Sequence, residues 1–168
     1  MVEHEEQLLW LADLRPFLAS PILPPTHTLQ TFGWKTAVAH FLTLYDSSFA
    51  PHPWYQPYTA DEVEAKLVQP EDLLFFCGQG QPIGVSWLHL DGETGRIEPV
   101  CILPSVQGVG NGRLLLQASL HHLAARQATT ARIGAWLTTT PALTLNTSLG
   151  IQPTQITTYF TKSLTNNN

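Results

Sequence analysis

The stretch Ile102–Arg113 (ILPSVQGVGNGR) sets glycines at 108, 110 and 112 between an extended run ending at Pro104 and a helical pattern beginning near Gly112. Alternating glycines let successive backbone N–H groups turn toward one point and let an anion approach the main chain closely. A helix N-terminus adds unpaired donors and the positive end of its dipole, so the chemistry expected here is pyrophosphate binding. Two nucleotide motifs fail on their own spacing. A Walker loop requires Gly-Lys-Ser/Thr, and Gly112 is followed by Arg113 and Leu114. The dinucleotide fingerprint requires a glycine three residues after Gly110, where Arg113 stands.

Metal chemistry has no ligand pattern to work with. His121 and His122 point about 100° apart on a helix and cannot chelate one ion together. His4-Glu5-Glu6 lacks the second histidine of a zinc helix motif, and Cys77 and Cys101 form no CxxC pair. No metal site is expected.

Charge narrows the ligand further. Residues 1–98 hold all 13 acids against four bases, whereas residues 99–168 hold Arg113, Arg126, Arg132 and Lys162 and no acid. Such asymmetry points to an anionic partner at the C-terminal half. Four charges over that length are too sparse for a nucleic-acid footprint, and a small phosphorylated ligand fits better. No apolar run reaches the ~18 residues of a membrane span, and the acidic start (MVEHEE) is a poor secretory signal. A cytoplasmic protein is the expectation.

The elements that must position the loop follow from periodicity. Leu8, Leu11, Leu14 and Leu18 predict a short helix within residues 5–18, and SPILPP (20–25) reads as a linker. Residues 1–24 are thus expected to form a helical extension and linker, 25–164 the domain and 165–168 a frayed tail. Thr26–Phe32 predicts a strand and Trp34–Phe49 a helix. APHPWYQPY (50–58) is a proline-broken aromatic loop, and Thr59 with Glu62 forms a capping box for the next helix. Strands follow at Leu73–Cys77, Ile83–Leu90 and Arg96–Leu103. A helix over Arg113–Gln127, a strand over Ala131–Leu137, a helix from Pro141 to Gly150 and a strand over Ile156–Leu164 complete the pattern. The order β α α β β β α β α β makes an α/β domain with a mixed sheet.

On these residues the chain resembles the GNAT family of acetyl-CoA-dependent N-acetyltransferases, whose signature is V-x-P followed by Q/R-x-x-G-x-G/A. Ile102-Leu103-Pro104 and Gln107-Gly108-Val109-Gly110-Asn111-Gly112 match it, and the element order is similar over about residues 26–163. The resemblance implies a mostly antiparallel mixed sheet with helices on both faces. Its fourth and fifth strands would splay apart to admit acetyl-CoA. It also implies that backbone groups of Cys101, Ile102 and Leu103 run beside the pantetheine, and that amides from Gln107 to Arg113 hold the pyrophosphate. Arg113 and Arg126 would lie near the phosphates, and a homodimer is consistent with the family. A finer likeness links Phe49-Ala50-x-His52-Pro53, Tyr58-Thr59 and Leu23-Pro24-Pro25 to the catalytic half of mycothiol-synthase-like tandem GNAT proteins. Residues 1–24 would then be the remnant of an interdomain segment.

Forming an amide from an ammonium requires a base, then ideally an acid beside the leaving thiolate. Glu98 is the candidate base, because it precedes Ile102 by four and would share its face on a regular strand. Pro99 signals a bulge that would turn Glu98 aside. His89 is the second candidate, across the Asp91–Gly95 turn. Cys101 reads as an inert buried thiol rather than a nucleophile. Trp54, Tyr55, Tyr58 and His89 are candidates for the acceptor pocket, the aromatic rings suiting an amine through cation–π contact. The family's last helix carries an Asn and then a Tyr acid. Aligned on Leu149-Gly150-Ile151, Thr139 stands at the former position and Asn146 at the latter. An amide can donate a hydrogen bond to sulfur but cannot protonate it, which leaves Tyr159 as an alternative acid. The expected activity is direct acetyl transfer from acetyl-CoA to a primary amine in a ternary complex. The alternatives are a degenerate acyl-CoA-binding sensor or assembly module and a purely structural half of a larger assembly.

Overall fold

The computed structural model describes Val2–Trp136 and Thr140–Thr161. In chain order the elements are β1 (Val2–Leu11), β2 (His27–Gln30), α1 (Trp34–Phe49), α2 (Ala60–Lys66), β3 (Leu73–Gly78), β4 (Gln81–Asp91), β5 (Thr94–Ile102), α3 (Asn111–Ala125), β6 (Thr130–Trp136), α4 (Thr140–Ser148) and β7 (Gln152–Thr161). The strands form one sheet in the order β2-β3-β4-β5-β6-β1-β7. Every pairing is antiparallel except β5 with β6. The expected α/β class with a mixed, mostly antiparallel sheet is therefore observed.

Strand alternation divides the core between the two faces. Leu73, Phe75, Val85 and Trp87 meet Ala37, Val38, Phe41 and Leu44 of α1 on one face. On the other, Leu74, Leu88 and Ile97 meet Leu116, Leu120 and Leu123 of α3. Leu143, Leu145 and Leu149 of the α4 region pack against this second cluster. The Thr59 and Glu62 side chains bond each other's backbone N–H groups at the start of α2, as the capping box predicts.

The N-terminal segment differs from its reading. No α-helix forms over residues 5–18: the chain runs to Leu11 as β1 between β6 and β7, hydrogen-bonded on both edges, and a single 3-10 turn follows at Arg15–Phe17. The leucine spacing has another origin. Leu9 and Leu11 are buried by strand alternation, and Leu14 is buried beyond the strand end, where its N–H donates to the Thr129 carbonyl at 3.0 Å. Leu18, the fourth member of the supposed stripe, is 65% exposed. A strand inserted between two others satisfies its main chain through neighbours distant in sequence, which local periodicity does not register. The expected tail over 165–168 lies outside the described residues.

Candidate active site

β5 and β6 pair only from Thr94–Thr130 to Ile97–Ile133. Beyond that point β6 continues to pair with β1, through Gly134, Ala135 and Trp136, and its ladder with β5 ends. The split expected between the strands at 96–103 and 131–137 is thus present. It opens where the β4–β5 register shifts, so that Glu98 and Pro99 together oppose Trp87. Proline offers no N–H to a ladder, so this is where the strand bulges.

The bulge reverses one expectation. Arg96 and Glu98 lie on the face of Trp87 and Cys101, whereas Ile97 and Ile102 pack on the α3 side. Glu98 therefore does not share a face with Ile102. The inserted residue shifts the alternation by one, which a count of four on a regular strand could not include.

Register also decides which main-chain groups face the split. The Leu103 N–H donates to the Ile83 carbonyl at 2.9 Å. By antiparallel alternation Cys101 is then bonded to its partner Val85, and the groups of Val100 and Ile102 point away from β4 toward the split. The Ile102 carbonyl accepts from Gln107 Nε2 at 2.8 Å and from Ser48 Oγ at 3.4 Å, leaving its N–H. Of the three backbone candidates, Ile102 alone is presented to the split. Cys101 and Leu103 are committed to the sheet, and Val100 was missed although the same alternation identifies it.

The glycine loop follows β5 directly. Gly108 and Gly110 have φ of +79° and +93°, and a Cβ added at either would meet nothing within 4 Å. Gly110 is the N-cap of α3, and the first intrahelical bond there runs from Leu114 N–H to its carbonyl. The amides of Asn111, Gly112 and Arg113 precede that bond, which suits a pyrophosphate cradle. Asn111 is buried and its Nδ2 holds the Val106 carbonyl at 3.0 Å, so its side chain braces the loop. Val109 is exposed at the tip. The Arg113 guanidinium donates to Ser148 Oγ at 2.8 Å, linking α3 to α4.

Arg126 lies elsewhere. It stands at the opposite end of α3 and pairs with the buried Asp72 at 2.7 Å. It belongs to the structural core of the charge distribution rather than to the phosphates.

On the α1–α2 face, Tyr58, Lys66, Trp87, His89, Arg96 and Glu98 line a cavity of about 460 Å³. Tyr58 stands just before the α2 cap and Lys66 in the last turn of α2, with the ammonium 5.2 Å from the Tyr58 ring centroid. Trp87 and His89 stack at 5.3 Å. Burial, assisted by Arg96, holds the His89 imidazole below its ordinary value, so it is neutral at pH 7. Burial, then the charges of Glu98 and Glu62, push the Tyr58 phenol up, so it keeps its proton.

Two of the four acceptor candidates, Tyr58 and His89, thus meet at one cavity with Glu98. The other two do not reach it. The Tyr55 hydroxyl donates to Asp46 Oδ1 at 2.6 Å, and Trp54 is buried and stacked on His52 at 4.9 Å. Both are held against α1 by the proline-broken loop. Lys66, Trp87 and Arg96 were missed, though the two-residue spacing of Arg96 and Glu98 on a strand was available as a signal. Burial pushes the Cys101 thiol well above its usual range, consistent with an inert side chain. Asn146 is buried on α4 and is not among the residues lining the cavity. Thr139 and the Tyr159 side chain lie outside the described residues. Among the described residues no group of three or more His, Cys, Asp or Glu could hold a metal ion, and no helix is long and apolar enough to cross a membrane.

A model of the acetyltransferase (GNAT) family matches residues 38–146. Mycothiol acetyltransferase of Streptomyces griseus subsp. griseus is 31% identical over 139 residues, covering 79% of this chain and 45% of the relative. Mycothiol acetyltransferase of Thermomonospora curvata is 31% identical over 146 residues, covering 81% and 49%. The chain spans about half the length of the relatives it matches. Among solved structures, a GCN5-related N-acetyltransferase from Sphaerobacter thermophilus aligns with a TM-score of 0.76 at 17% identity, over 91% of this chain and 49% of that one.

Proposed function

Because the chain belongs to the acetyltransferase (GNAT) family, we propose that it moves an acetyl group from acetyl-CoA to an amine by direct transfer in a ternary complex. The observation that carries this reading is the continuity of β5. Its residues beyond Ile97 have no ladder to β6, the open glycine loop follows it, and Arg96 and Glu98 project from it into the cavity. Donor and acceptor sites therefore share one strand.

Acetyl-CoA supplies an acyl group already activated as a thioester. The amides of Asn111, Gly112 and Arg113 hold its pyrophosphate at the positive end of α3. The N–H groups of Val100 and Ile102 face the split, where they orient the pantetheine and polarise the acetyl carbonyl. Glu98 takes the proton from the incoming ammonium, and neutral His89 is the second group able to accept one. Tyr58 keeps its proton and orients the acceptor. No side chain in the cavity is assigned as an acid for the departing thiolate.

The relatives are named for mycothiol acetylation, whereas the acceptor of this chain is set by the residues that line its own cavity. Glu98→Gln tests the assignment of the base. Its kcat near neutral pH is expected to fall by roughly 10²- to 10⁴-fold, with the deficit shrinking as rising pH deprotonates the amine and with acetyl-CoA affinity kept. Activity equal to the wild type across the pH range removes Glu98 from the mechanism.

A second reading, a degenerate domain that binds acyl-CoA as a sensor, is favoured by Asn146, a buried amide at the position aligned with the family's Tyr acid. Binding of CoA without thiol release on any amine would support it.

A further inference from the structure

The acceptor cavity is richer in donors and positive charge than capture of a simple amine requires. An ammonium needs a carboxylate and an aromatic wall, which Glu98, Tyr58 and Trp87 supply. Lys66 and Arg96 line the same cavity and would repel a ligand whose only charge was an ammonium. The lining carries two cations against one carboxylate, a formal surplus of one positive charge. Its hydrogen-bond inventory is similarly one-sided. Lys66 offers three donors, Arg96 five and Tyr58 one, against the Glu98 carboxylate and one imidazole nitrogen. The Trp87 indole N–H is buried away from the cavity surface, so Trp87 contributes only its ring to the lining. Such a wall is complementary to ligand oxygens bearing negative charge.

The positions of these groups separate the two functions. Arg96 and Glu98 are two residues apart on one face of β5, a rise of about 6.6 Å, so a positive and a negative recognition point stand side by side. Lys66 reaches the cavity from α2, and its ammonium is steadied over the Tyr58 ring. An acceptor with its amine at Glu98 then presents its remaining atoms to Arg96 and Lys66.

We infer that the acceptor is an amine that also carries an anionic oxygen group, a carboxylate or a phosphate, held by Arg96 and Lys66 while Glu98 faces the amine. This rests on the acetyl-transfer reading for the role of Glu98, whereas recognition of the anion is a property of the cavity itself. The reaction adds no further reagent. The ammonium gives one proton to Glu98, and the freed nitrogen lone pair bonds to the acetyl carbon. The carbon–sulfur bond breaks with its electron pair on the CoA sulfur, and the second nitrogen proton passes to that thiolate, leaving a neutral amide and CoA thiol.

The test is binding rather than turnover, so that it stands apart from the transfer reaction. Calorimetry with CoA present compares three sets of ligands: N-acetylated amino acids, the corresponding primary amides, and N-acetylated aminoalkyl phosphates. The expected result is tighter binding of an anionic set than of the amides, by roughly tenfold to a hundredfold, the range of a charge-assisted hydrogen bond. Whether the carboxylates or the phosphates lead identifies the group. Arg96→Gln and Lys66→Gln, both at exposed positions, are expected to reduce that preference. Equal binding of anions and amides, or no measurable binding of any set, overturns the inference. So does a preference unchanged in the double variant. The transfer reading is judged separately, by thiol release from acetyl-CoA with each parent amine.

Discussion

Replacing Arg126 with alanine separates a structural cation from a phosphate-binding one. The guanidinium lies 2.7 Å from the Asp72 carboxylate, and the two side chains are 27% and 4% exposed. Without it, Asp72 keeps the Gln69 amide at 3.0 Å as its side-chain donor, too little for a carboxylate almost out of water. Breaking a buried pair costs about 3–5 kcal/mol. The partial exposure of Arg126 and the surviving amide place the expected cost at the lower end, about 3 kcal/mol. At roughly 2–4 °C per kcal/mol for a domain of this size, Tm should fall by roughly 6–12 °C. Asp72→Asn combined with Arg126→Met should recover most of the loss, because no charge is then stranded. Acetyl-CoA should stabilise Arg126→Ala as much as the wild type. The reason is distance: α3 has 15 residues, which separates Arg126 from the loop amides by roughly 22 Å. Differential scanning fluorimetry with and without acetyl-CoA measures both effects. An unchanged Tm with weakened acetyl-CoA binding would return Arg126 to the phosphate site.

Three other outcomes follow from the same geometry. Gly110→Val forces a β-branched residue to φ near +93°, a strain of about 1–3 kcal/mol. The rise in Tm that acetyl-CoA induces should be lost, and retention of the full rise would contradict the role given to the loop. Cys101→Ala should turn over at a rate of the same order as the wild type, since the thiol is buried and protonated. Loss of turnover with the fold intact would point to an acetyl-thioester intermediate. Finally, burial holds His89 and His122 below the ordinary value of 6.5, so the unfolded chain takes up protons first as pH falls. Their contribution to stability is full above about pH 6.5 and is lost as pH falls through the lowered folded values. Urea denaturation from pH 7.5 down to pH 5 should show the decline, and His122→Gln should flatten it; an unaltered slope would contradict the assignment.

Local signals in the chain were legible where the physics is local. The Thr59–Glu62 cap, the proline stops, the strand pairs around Gly78–Gln81 and the loop at Gly108–Gly110 need no distant partner to be recognised. The errors arose where a distant partner decides. β1 owes its conformation to β6 and β7, more than a hundred residues away, and its leucines imitate a helical stripe because Leu14 is buried beyond the strand rather than on a helix. Arg126 is claimed by Asp72, on a separate element, so a charge count for the C-terminal half could not locate it. Glu98 was recognised as the last carboxylate, and Pro99 warned of a bulge. Only the register against Trp87 shows that the bulge turns Glu98 toward Arg96, His89 and Tyr58. The cavity is only half legible in the sequence, because Lys66 arrives from α2 and Trp87 from β4, and no single stretch of sequence contains them together.

Detection of free thiol from acetyl-CoA against a panel of amines decides whether the chain transfers acetyl groups. Acetyl-CoA-dependent thiol release is expected with amines bearing a carboxylate or phosphate, abolished by Gly110→Val and strongly reduced near neutral pH by Glu98→Gln. Stabilisation by acetyl-CoA with no thiol release from any amine would contradict transfer and leave an acyl-CoA-binding domain. Absence of any stabilisation would contradict the donor site itself.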